Sequence, residues 1–391
     1  MPDKKLFLIT TILITIGIIC SYTLGTYAII RFEYEPYHFV LREFVVAMAS
    51  IIVMWVIAQL DPDVWLHRLG LGLFIMGIVL MAVMPFLPES LVSEVGGAKR
   101  WIKLPGFSLA PVEFFKIGFV YFLAWSFSRK FTPHNGISIK EEFIRFLPYA
   151  FLFLLAVFLI AFLQNDLGQV VVLAATLAVL LLFAGSSGLF FGYLIIGSGM
   201  IFSVIIFSSE NRMNRIAAWW QGIQSKLNAI APDLVSSQPN AEEPYQIGHS
   251  LNAINNGGLF GSGLGSGTFK LGFLSEVHTD FVLAGIAEEF GFIGVLVVTM
   301  LFAALLFRIF KISGRSINNT YYLFSMGVGL LITFAFMINA YGISGIIPIK
   351  GISIPFLSYG GSAMLASSIA IGMVIMISKR ASAVPLEYEL E

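Results

Sequence analysis

The chain has 391 residues, of which 58% are hydrophobic and 12% are charged, and its formal net charge at pH 7 is zero. Soluble domains have about 25% charged residues, so this composition excludes an ordinary soluble domain and indicates an integral membrane protein. A formal net charge of zero gives the chain no overall attraction for a nucleic acid. A single cysteine excludes an intrachain disulfide, and five scattered histidines give no zinc-site spacing.

The predicted elements are membrane-spanning helices, each of which requires roughly 20 apolar residues. The apolar runs are too long for the strands of an outer-membrane barrel, and the first is too long for a signal peptide. We therefore predict an all-α integral membrane protein with one domain, 1–391, and a large outer loop at about 209–280 between helices 7 and 8. The ten predicted spans are 6–30, 43–60, 69–87, 110–127, 146–163, 168–185, 189–208, 281–307, 320–343 and 359–378.

Ten spans place both termini on the same side of the membrane. Cytoplasmic loops carry an excess of Lys and Arg, and this rule is best satisfied when both termini are cytoplasmic. The outer side nevertheless keeps several basic residues, which indicates either an anionic partner or contact with membrane lipid headgroups. These outer residues are Lys99, Arg100, Lys103, Arg212, Arg215, Lys270 and Lys350.

Charged residues also occur inside or at the ends of predicted spans, where they are costly and therefore candidates for function. Glu113 and Lys116 share one helix face, where they form either a self-satisfied ion pair or part of a polar groove for a charged headgroup. Asp166 opens the sixth predicted helix and can cap its free amides or face a ligand. Lys350 and the SYGGSA segment, 358–363, open the tenth helix and offer amides at its positive end.

The large outer loop contains three different patterns. Residues 211–230 have apolar side chains every three or four positions and two tryptophans, which predicts a helix lying in the membrane interface. The connector 226–244 becomes rich in Pro, Ser and acidic residues. The glycines of 257–267 lack the spacing of a nucleotide loop. They are compatible with loop flexibility or with a tight turn whose amides meet a phosphate.

The sequence SEVHTDFVLAGIAEEFG places a polar cluster at the start of the eighth span. Thr279 or Asp280 could cap the helix, but capping explains neither His278 nor the two glutamates, Glu288 and Glu289. A carboxylate at the boundary between water and membrane can have a raised pKa, which suits a general base. Asp280 is therefore a candidate base.

Eight motifs occur along nearly the whole chain in a recognisable order. Together they resemble those of the SEDS family of shape, elongation, division and sporulation proteins, and the combination of HTDF, a following AEE and PFLSYGGS is specific. The motifs are GGAKRWIKL (96–104), PVEFFK (111–116), QNDLG (164–168), NRMNR (211–215), YQIGHSL (245–251), GLFGSGLGSG (258–267), LSEVHTDFVLAGIAEEFG (274–291) and GISIPFLSYGGS (351–362).

This resemblance implies a peptidoglycan glycosyltransferase that polymerises lipid II on the outer face of the bacterial cytoplasmic (inner) membrane. It implies that Asp280 is the essential acidic residue, which we expect to act as the base in an inverting displacement of polyprenyl pyrophosphate. The residues expected to contact substrate are Lys99, Arg100, Trp101, Glu113, Lys116, Asp166, Arg212, Arg215, Tyr245, Gln246, His278, Thr279, Lys350, Ser358, Tyr359 and Gly360.

The implied partners are lipid II, the nascent glycan strand, a class B penicillin-binding protein and other proteins of a division or elongation complex. The chain has no dedicated metal cage, but a divalent cation, Mg²⁺ or Mn²⁺, bridging pyrophosphate oxygens is compatible with the chemistry. The Lys350–Gly351 step before IPFLSYGG and the GSGLGSG turn, 261–267, resemble the division member FtsW more than the elongation member RodA.

Two other functions are compatible with a chain of this kind. A lipid II flippase would also bury charges within the membrane, and a non-catalytic division scaffold would not need Asp280. The chain also departs from the family pattern, because it has Ala110 and Val112 in a motif that usually reads QPSE, and Asn165 where proline is usual.

Overall fold

The computed structural model describes residues 2–381 except 32, 36, 96–97, 105–106, 132–137, 231–244, 275 and 349–350. Most of the described chain is helical. In chain order the helices are α1 (Lys4–Leu24), α2 (Thr26–Arg31), α3 (His38–Gln59), α4 (Pro62–Val83), α5 (Pro111–Lys130), α6 (Ile139–Val157), α7 (Leu167–Phe183), α8 (Gly188–Phe207), α9 (Glu210–Ile230), α10 (Tyr245–Gly257), α11 (Val282–Gly314), α12 (Asn319–Ile343) and α13 (Gly361–Ser378).

Ten of these helices coincide with the ten predicted spans: α1, α3 to α8 and α11 to α13. The prediction of a helical membrane protein is therefore confirmed. Eight helices in the described part of the chain are long and apolar enough to cross a membrane. The other two are α7, which is apolar but has 17 residues, and α5, which carries charged residues and packs between α4 and α12.

The helices extend beyond the apolar runs because their polar ends are capped. Helix α4 begins at Pro62 and not at the predicted 69, since the Asp61 side chain accepts a hydrogen bond from the N–H of Asp63 (3.1 Å) and proline favours the first helical position. The predicted helix over 211–230 is present as α9. Most of the predicted connector, 231–244, lies outside the described residues.

A small antiparallel sheet between α4 and α5 was not predicted. Its strands are β1 (Val92–Val95), β2 (Ala98–Leu104) and β3 (Phe107–Leu109), in that spatial order. Ser362 at the start of α13 fastens β3, because its Oγ donates to the carbonyl of Ser108 (2.6 Å) and accepts from the N–H of Ala110 (2.9 Å). The sheet therefore sits directly against the beginning of α13.

Helix α11 is interrupted at Gly291, which has φ 67° and ψ −165°. The glycine-rich segment 257–263 supplies hydrogen-bond partners for backbone groups at the break. The carbonyls of Glu288 and Glu289 accept from the N–H groups of Ser262 (2.9 Å) and Gly263 (3.0 Å). On the other side of the break, the N–H of Phe292 donates to the carbonyl of Gly258 (2.9 Å), and Ile293 donates to Leu259 (3.2 Å).

These contacts give the glycines a role in close backbone packing. Gly261 has φ +80°, and a Cβ there would lie 2.2 Å from the carbonyl oxygen of Glu289. A residue with a side chain would therefore force the loop away from the break.

The two glutamates that precede the break fasten the same loop through their side chains. Glu288, which is 1% exposed, accepts from the backbone N–H of Phe269 (3.0 Å) and from Asn256 Nδ2 (3.2 Å). Glu289 forms a buried ion pair with Lys270 (2.6 Å), whose Nζ also donates to a carbonyl of α1 (3.1 Å). The glutamates that capping did not explain therefore anchor the outer loop to α11 and α1.

Replacing Lys270 with Met should destabilise the protein by about 3–5 kcal/mol, because Glu289 would remain as a buried charge without its partner. Thermal unfolding of the purified protein in detergent measures this loss as a lower Tm. The double variant Lys270→Met, Glu289→Leu should recover much of it, since both charges are then absent. A double variant less stable than Lys270→Met alone would contradict this account of the ion pair.

Candidate functional site

A cavity of about 540 Å³ lies where the sheet meets the ends of several helices. Its walls come from α3, β2, β3, α5, the corner between α6 and α7, the turn before α11 and the segment that leads into α13. The lining is rich in charge, with five carboxylates and two guanidinium groups: Glu43, Glu113, Asp166, Glu276, Asp280, Arg42 and Arg100.

Asp280 is held by the turn that precedes α11. Its N–H donates to the carbonyl of Glu276 (3.1 Å), and its own carbonyl accepts from Asn339 Nδ2 (2.7 Å). The same Nδ2 donates to the carbonyl of Ile352 (2.7 Å), so α12 ties this turn to the segment before α13. A Cβ on Gly351 would lie 2.6 Å from Asp280 Oδ2, so a side chain at that position would displace the carboxylate.

The surroundings of Asp280 make its carboxyl group hard to ionise. Burial, followed by the negative charges of Glu276 and Asp166, raises its pKa from 3.8 to about 7, against the opposing effect of Arg100. Burial also raises the pKa of Asp166, whose side chain caps α7 by accepting from the N–H of Gln169 (3.3 Å). An acid whose pKa lies near neutral pH is suited to exchange a proton with a reacting group.

Arg100 supplies positive charge beside these carboxylates. Its Nε donates to the carbonyl of Gln164 (2.8 Å) and its Nη2 donates to the carbonyl of Asn165 (2.7 Å). Asn165 has a left-handed backbone, φ 49°, which turns the corner between α6 and α7. The guanidinium is therefore fixed against the backbone of that corner.

Glu113 and Lys116 form a closed cluster with Gln169 of α7. Lys116 Nζ lies 2.8 Å from Glu113 Oε2 and donates to Gln169 Oε1 (2.7 Å), while Gln169 Nε2 donates to Glu113 Oε1 (3.0 Å). Glu113 lines the large cavity, and both charged residues line a smaller one of about 40 Å³ beneath it. The ion pair is thus formed, and it borders the polar groove.

The structure brings together eight of the residues that the sequence singled out. They come from β2, α5, the start of α7, the turn before α11 and the segment before α13. The eight that line the cavity are Arg100, Trp101, Glu113, Asp166, Thr279, Asp280, Tyr359 and Gly360.

Three other basic residues expected at the substrate do not line this cavity. Lys99 Nζ donates to two carbonyls that follow α4 (3.3 and 3.2 Å). Arg212 donates to a carbonyl of α8 and to one in the turn after α6 (both 2.9 Å). Arg215 is exposed on α9, and the fourth basic residue, Lys350, lies outside the described residues.

Four further predicted residues also lie away from the cavity lining. Burial lowers the pKa of His278, whose carbonyl accepts from the N–H of Tyr359 (2.8 Å). Ser358 is buried, and its Oγ accepts from a backbone N–H of its own segment (2.8 Å). Tyr245 and Gln246 are exposed on α10. His278 and Ser358 thus bond to the backbone of the segment before α13 and do not line the cavity themselves.

Sequence reasoning missed several polar residues of the cavity. Glu43 of α3 is 1% exposed, lines the cavity, and has an Oε1 atom with no hydrogen-bond partner among the described residues. Arg42 lines the cavity beside it. Two charges at the start of the span 43–60 were an available signal, because ionisable residues in spans are functional candidates. The other missed polar residues include Gln164, Gln169 and Glu276.

The sequence is compatible with a divalent cation at the pyrophosphate, but the described residues form no preformed set of protein ligands for it. Within the described ranges, no three acidic, histidine or cysteine side chains are placed to hold a metal ion together. Two of the cavity carboxylates have partners within the protein: Glu113 interacts with Lys116 and Gln169, and Asp166 accepts from the N–H of Gln169.

Comparison with known proteins identifies the family. The family model described as cell cycle protein, FtsW/RodA/SpoVE, matches residues 4–383. A Helicobacter pylori protein named "Probable peptidoglycan glycosyltransferase FtsW" is 48% identical over 381 residues, covering 96% of this chain and 98% of its own length. The chain belongs to the FtsW/RodA/SpoVE family. A Trichlorobacter lovleyi protein of the same name is 32% identical over 388 residues, covering 98% of this chain and 95% of that protein.

Solved structures share the FtsW/RodA/SpoVE fold. The crystal structure of Thermus thermophilus rod shape determining protein RodA matches with a TM-score of 0.64 at 22% identity, covering 97% of each chain. A chain of a peptidoglycan synthase complex, described as coordinating polymerisation and crosslinking, matches with a TM-score of 0.71 at 21% identity, covering 98% of this chain and 99% of that one. At these identities the likeness establishes the fold.

In this FtsW/RodA/SpoVE family member, the raised pKa of Asp280 makes stability depend on pH. The folded state holds the proton more tightly than the unfolded state, so Asp280 stabilises the fold below pH 3.8 and this contribution is lost as pH rises through about 7. Asp280→Asn cannot ionise, so its Tm should rise relative to wild type between pH 5 and pH 8. Thermal unfolding at both pH values measures the difference.

The exposed carboxylate of Glu89, which lies in the segment before β1, supplies a matched control. Glu89→Gln should show nearly the same Tm difference from wild type at pH 5 and at pH 8. An equal pH effect in the two variants would mean that Asp280 does not ionise as its surroundings require.

Proposed function

We propose that this protein is a peptidoglycan glycosyltransferase that polymerises lipid II into glycan strands during cell division. The observation that carries the proposal is the half-buried carboxyl group of Asp280, whose pKa its surroundings raise to about 7, in a cavity that Arg100 shares. The activity named for the 48% identical relative supports the same reaction.

The reaction needs a base at the acceptor sugar and positive charge at the leaving group. Asp280 removes the proton from the 4-hydroxyl of the acceptor as that oxygen attacks the anomeric carbon of the donor. The bond from that carbon to the pyrophosphate oxygen breaks, and polyprenyl pyrophosphate leaves with the electron pair. One displacement with one carboxylate inverts the anomeric centre, unlike the two-carboxylate route of retaining glycosidases.

Arg100 is the residue placed to stabilise the leaving group. Charge grows on the pyrophosphate oxygens in the transition state, and a fixed guanidinium stabilises that charge with little reorganisation. Two backbone carbonyls already hold Arg100 in position. Lys116 is paired with Glu113 and donates to Gln169, so its role is to hold the base of the cavity together.

The distribution of polar groups favours polymerisation over transport. A flippase needs polar groups along a path through the membrane. Seven charged residues line the large cavity, whereas the smaller cavity has Glu113 and Lys116 at its edge and is otherwise lined by Val, Leu, Ile and Ala residues, two serines and a proline. A non-catalytic scaffold would not need an acid with the pKa of Asp280.

The proposed setting is the bacterial cytoplasmic membrane with both termini in the cytoplasm. The described ends, Pro2 and Ala381, line one cavity at the same face, and the basic residues near them satisfy the positive-inside rule. The chain then presents the large cavity to the outer side. We propose a class B penicillin-binding protein as the crosslinking partner, in keeping with the synthase complex whose chain shares this fold.

Asp280→Asn should lower the rate of polymerisation by about 10²- to 10⁴-fold, because the general base is lost. In wild type the rate should fall about tenfold per pH unit below pH 7, since only ionised Asp280 accepts the proton. Purified protein with its class B partner, labelled lipid II and gel separation of the glycan products measure both effects. Polymer from Asp280→Asn at the wild-type rate would refute the assignment.

Glu43→Leu should raise KM for lipid II by about 10- to 100-fold with a smaller change in kcat, because a sugar hydroxyl or amide that binds in the cavity would supply the partner that the buried Oε1 lacks among the described residues. Glu43→Gln keeps an acceptor oxygen and should stay closer to wild type. Glu142→Leu is the control: Glu142 is equally a buried helical carboxylate, but it is bonded to Ser187 away from the cavity. A raised KM in the control, or an unchanged KM in Glu43→Leu, would contradict this role.

A further inference from the structure

A second cavity, of about 340 Å³, lies at the opposite ends of the helices from the candidate active site. It is formed where the start of α1 meets the last turns of α11 and α13. We call it the terminal cavity, because both described ends of the chain line it. Its six basic side chains are Lys4, Lys5, Arg308, Lys311, Arg315 and Lys379.

One carboxylate, that of Asp3, lines the terminal cavity, and it is already engaged. Asp3 caps α1 by accepting from the N–H of Leu6 (2.9 Å), and its other oxygen pairs with Arg308. Its N–H donates to Ser378 Oγ (2.9 Å), so Asp3 joins the three helix ends into one wall. The Asp3–Arg308 pair is therefore electrically neutral, and Asp3 holds this wall of the cavity together.

The remaining basic groups have few partners. Lys379 Nζ donates to the carbonyl of Gln59 (2.9 Å) and to that of Leu60. Lys311 Nζ lies 5.7 Å from the centre of the Phe307 ring. Across the described part of the chain, no carboxylate forms an ion pair with Lys4, Lys5, Lys311 or Arg315. The cavity therefore holds a large excess of positive charge.

The positive-inside rule alone does not require this convergence. It favours basic residues near helix ends, and other basic residues of the protein meet it singly, such as Arg129 over the ring of Trp125 (4.5 Å) and Lys130 near Tyr149 (5.6 Å). A concave site with one sign of charge concentrates counter-ions. Basic pockets between membrane helices on the cytoplasmic side suit the phosphates of lipid headgroups.

We propose that the terminal cavity binds the phosphate group of an anionic phospholipid in the leaflet that faces the chain termini. Lys311 and Arg315, from the last turn of α11 and the position that follows it, and Lys4 and Lys5, from the start of α1, contact the phosphate oxygens. The Asp3–Arg308 pair holds the helix ends at the spacing that the headgroup needs. Binding there does not depend on the reaction at Asp280.

Native mass spectrometry of the full chain with phosphatidylglycerol, cardiolipin or phosphatidylcholine tests this site. Lys311→Gln, Arg315→Gln should weaken retention of the two anionic lipids by at least about tenfold, with phosphatidylcholine weak throughout. The matched control is Lys140→Gln, Arg145→Gln, which removes the same charge from α6, away from the cavity. It should leave retention unchanged, and Lys4→Gln, Lys5→Gln should repeat the effect of the first variant.

Three results would overturn the proposal. Equal losses in the α6 control would indicate a general surface charge effect. Displacement of the lipid by millimolar inorganic phosphate would indicate a site for a free anion. Retention that arises only after removal of residues 382–391, which contain three glutamates, would indicate that this acidic segment is the occupant. Polymerisation assays of Asp280 variants stay independent of all three results.

Discussion

The interruption of α11 at Gly291 is the constraint around which one side of this protein is organised. Backbone groups freed inside a membrane protein must find partners, because an unsatisfied carbonyl or N–H in an apolar interior is costly. The glycine segment 257–263 supplies those partners. Glu288 and Glu289 then fasten the following loop with their side chains. The short helical segment before the break is thereby immobilised, and Asp280 stands immediately before it.

The same arrangement explains why a reactive carboxyl group is maintained at a cost to stability. Asp280 lies in a turn that Asn339 ties to the segment before α13, so its backbone is held at the edge of the large cavity. Burial and the nearby carboxylates of Glu276 and Asp166 oppose its ionisation. The fold tolerates this because other contacts, such as the buried Lys270–Glu289 ion pair, hold the outer loop against α11 and α1.

The features that could be predicted from the sequence are those whose signal lies within one continuous stretch of the chain. Hydropathy found the ten helices that coincide with predicted spans, because each needs only a local run of apolar residues. The strands β1 to β3 escaped because segments of three to seven residues have too few positions to establish a period. Asp280 was found from its place in a polar cluster at the start of a span and from the resemblance, whereas its pKa also depends on Asp166, which comes close to it only through folding.

Individual site residues divide in the same way. Arg212 belongs to a recognisable motif, yet its guanidinium bonds to carbonyls of two neighbouring segments, which no local pattern could indicate. Glu43 is the reverse case: it lines the cavity but belongs to no recognised motif, although its charge within a predicted span was visible in the sequence. The two glutamates before Gly291 were noticed as anomalous, but their partners lie in a loop that had to fold back onto the helix.

The hydrogen bonds of Arg100 determine which kind of cationic side chain can serve at this site. A guanidinium has five N–H donors in a planar array, and two atoms of Arg100 already donate to the carbonyls of Gln164 and Asn165. The remaining donors let one side chain close the corner between α6 and α7 and face a phosphate at the same time. A lysine ammonium, whose three donors radiate from one atom, would have to abandon either the corner or the anion. A lysine in place of Arg100 would therefore keep the charge but lose one of these two contacts.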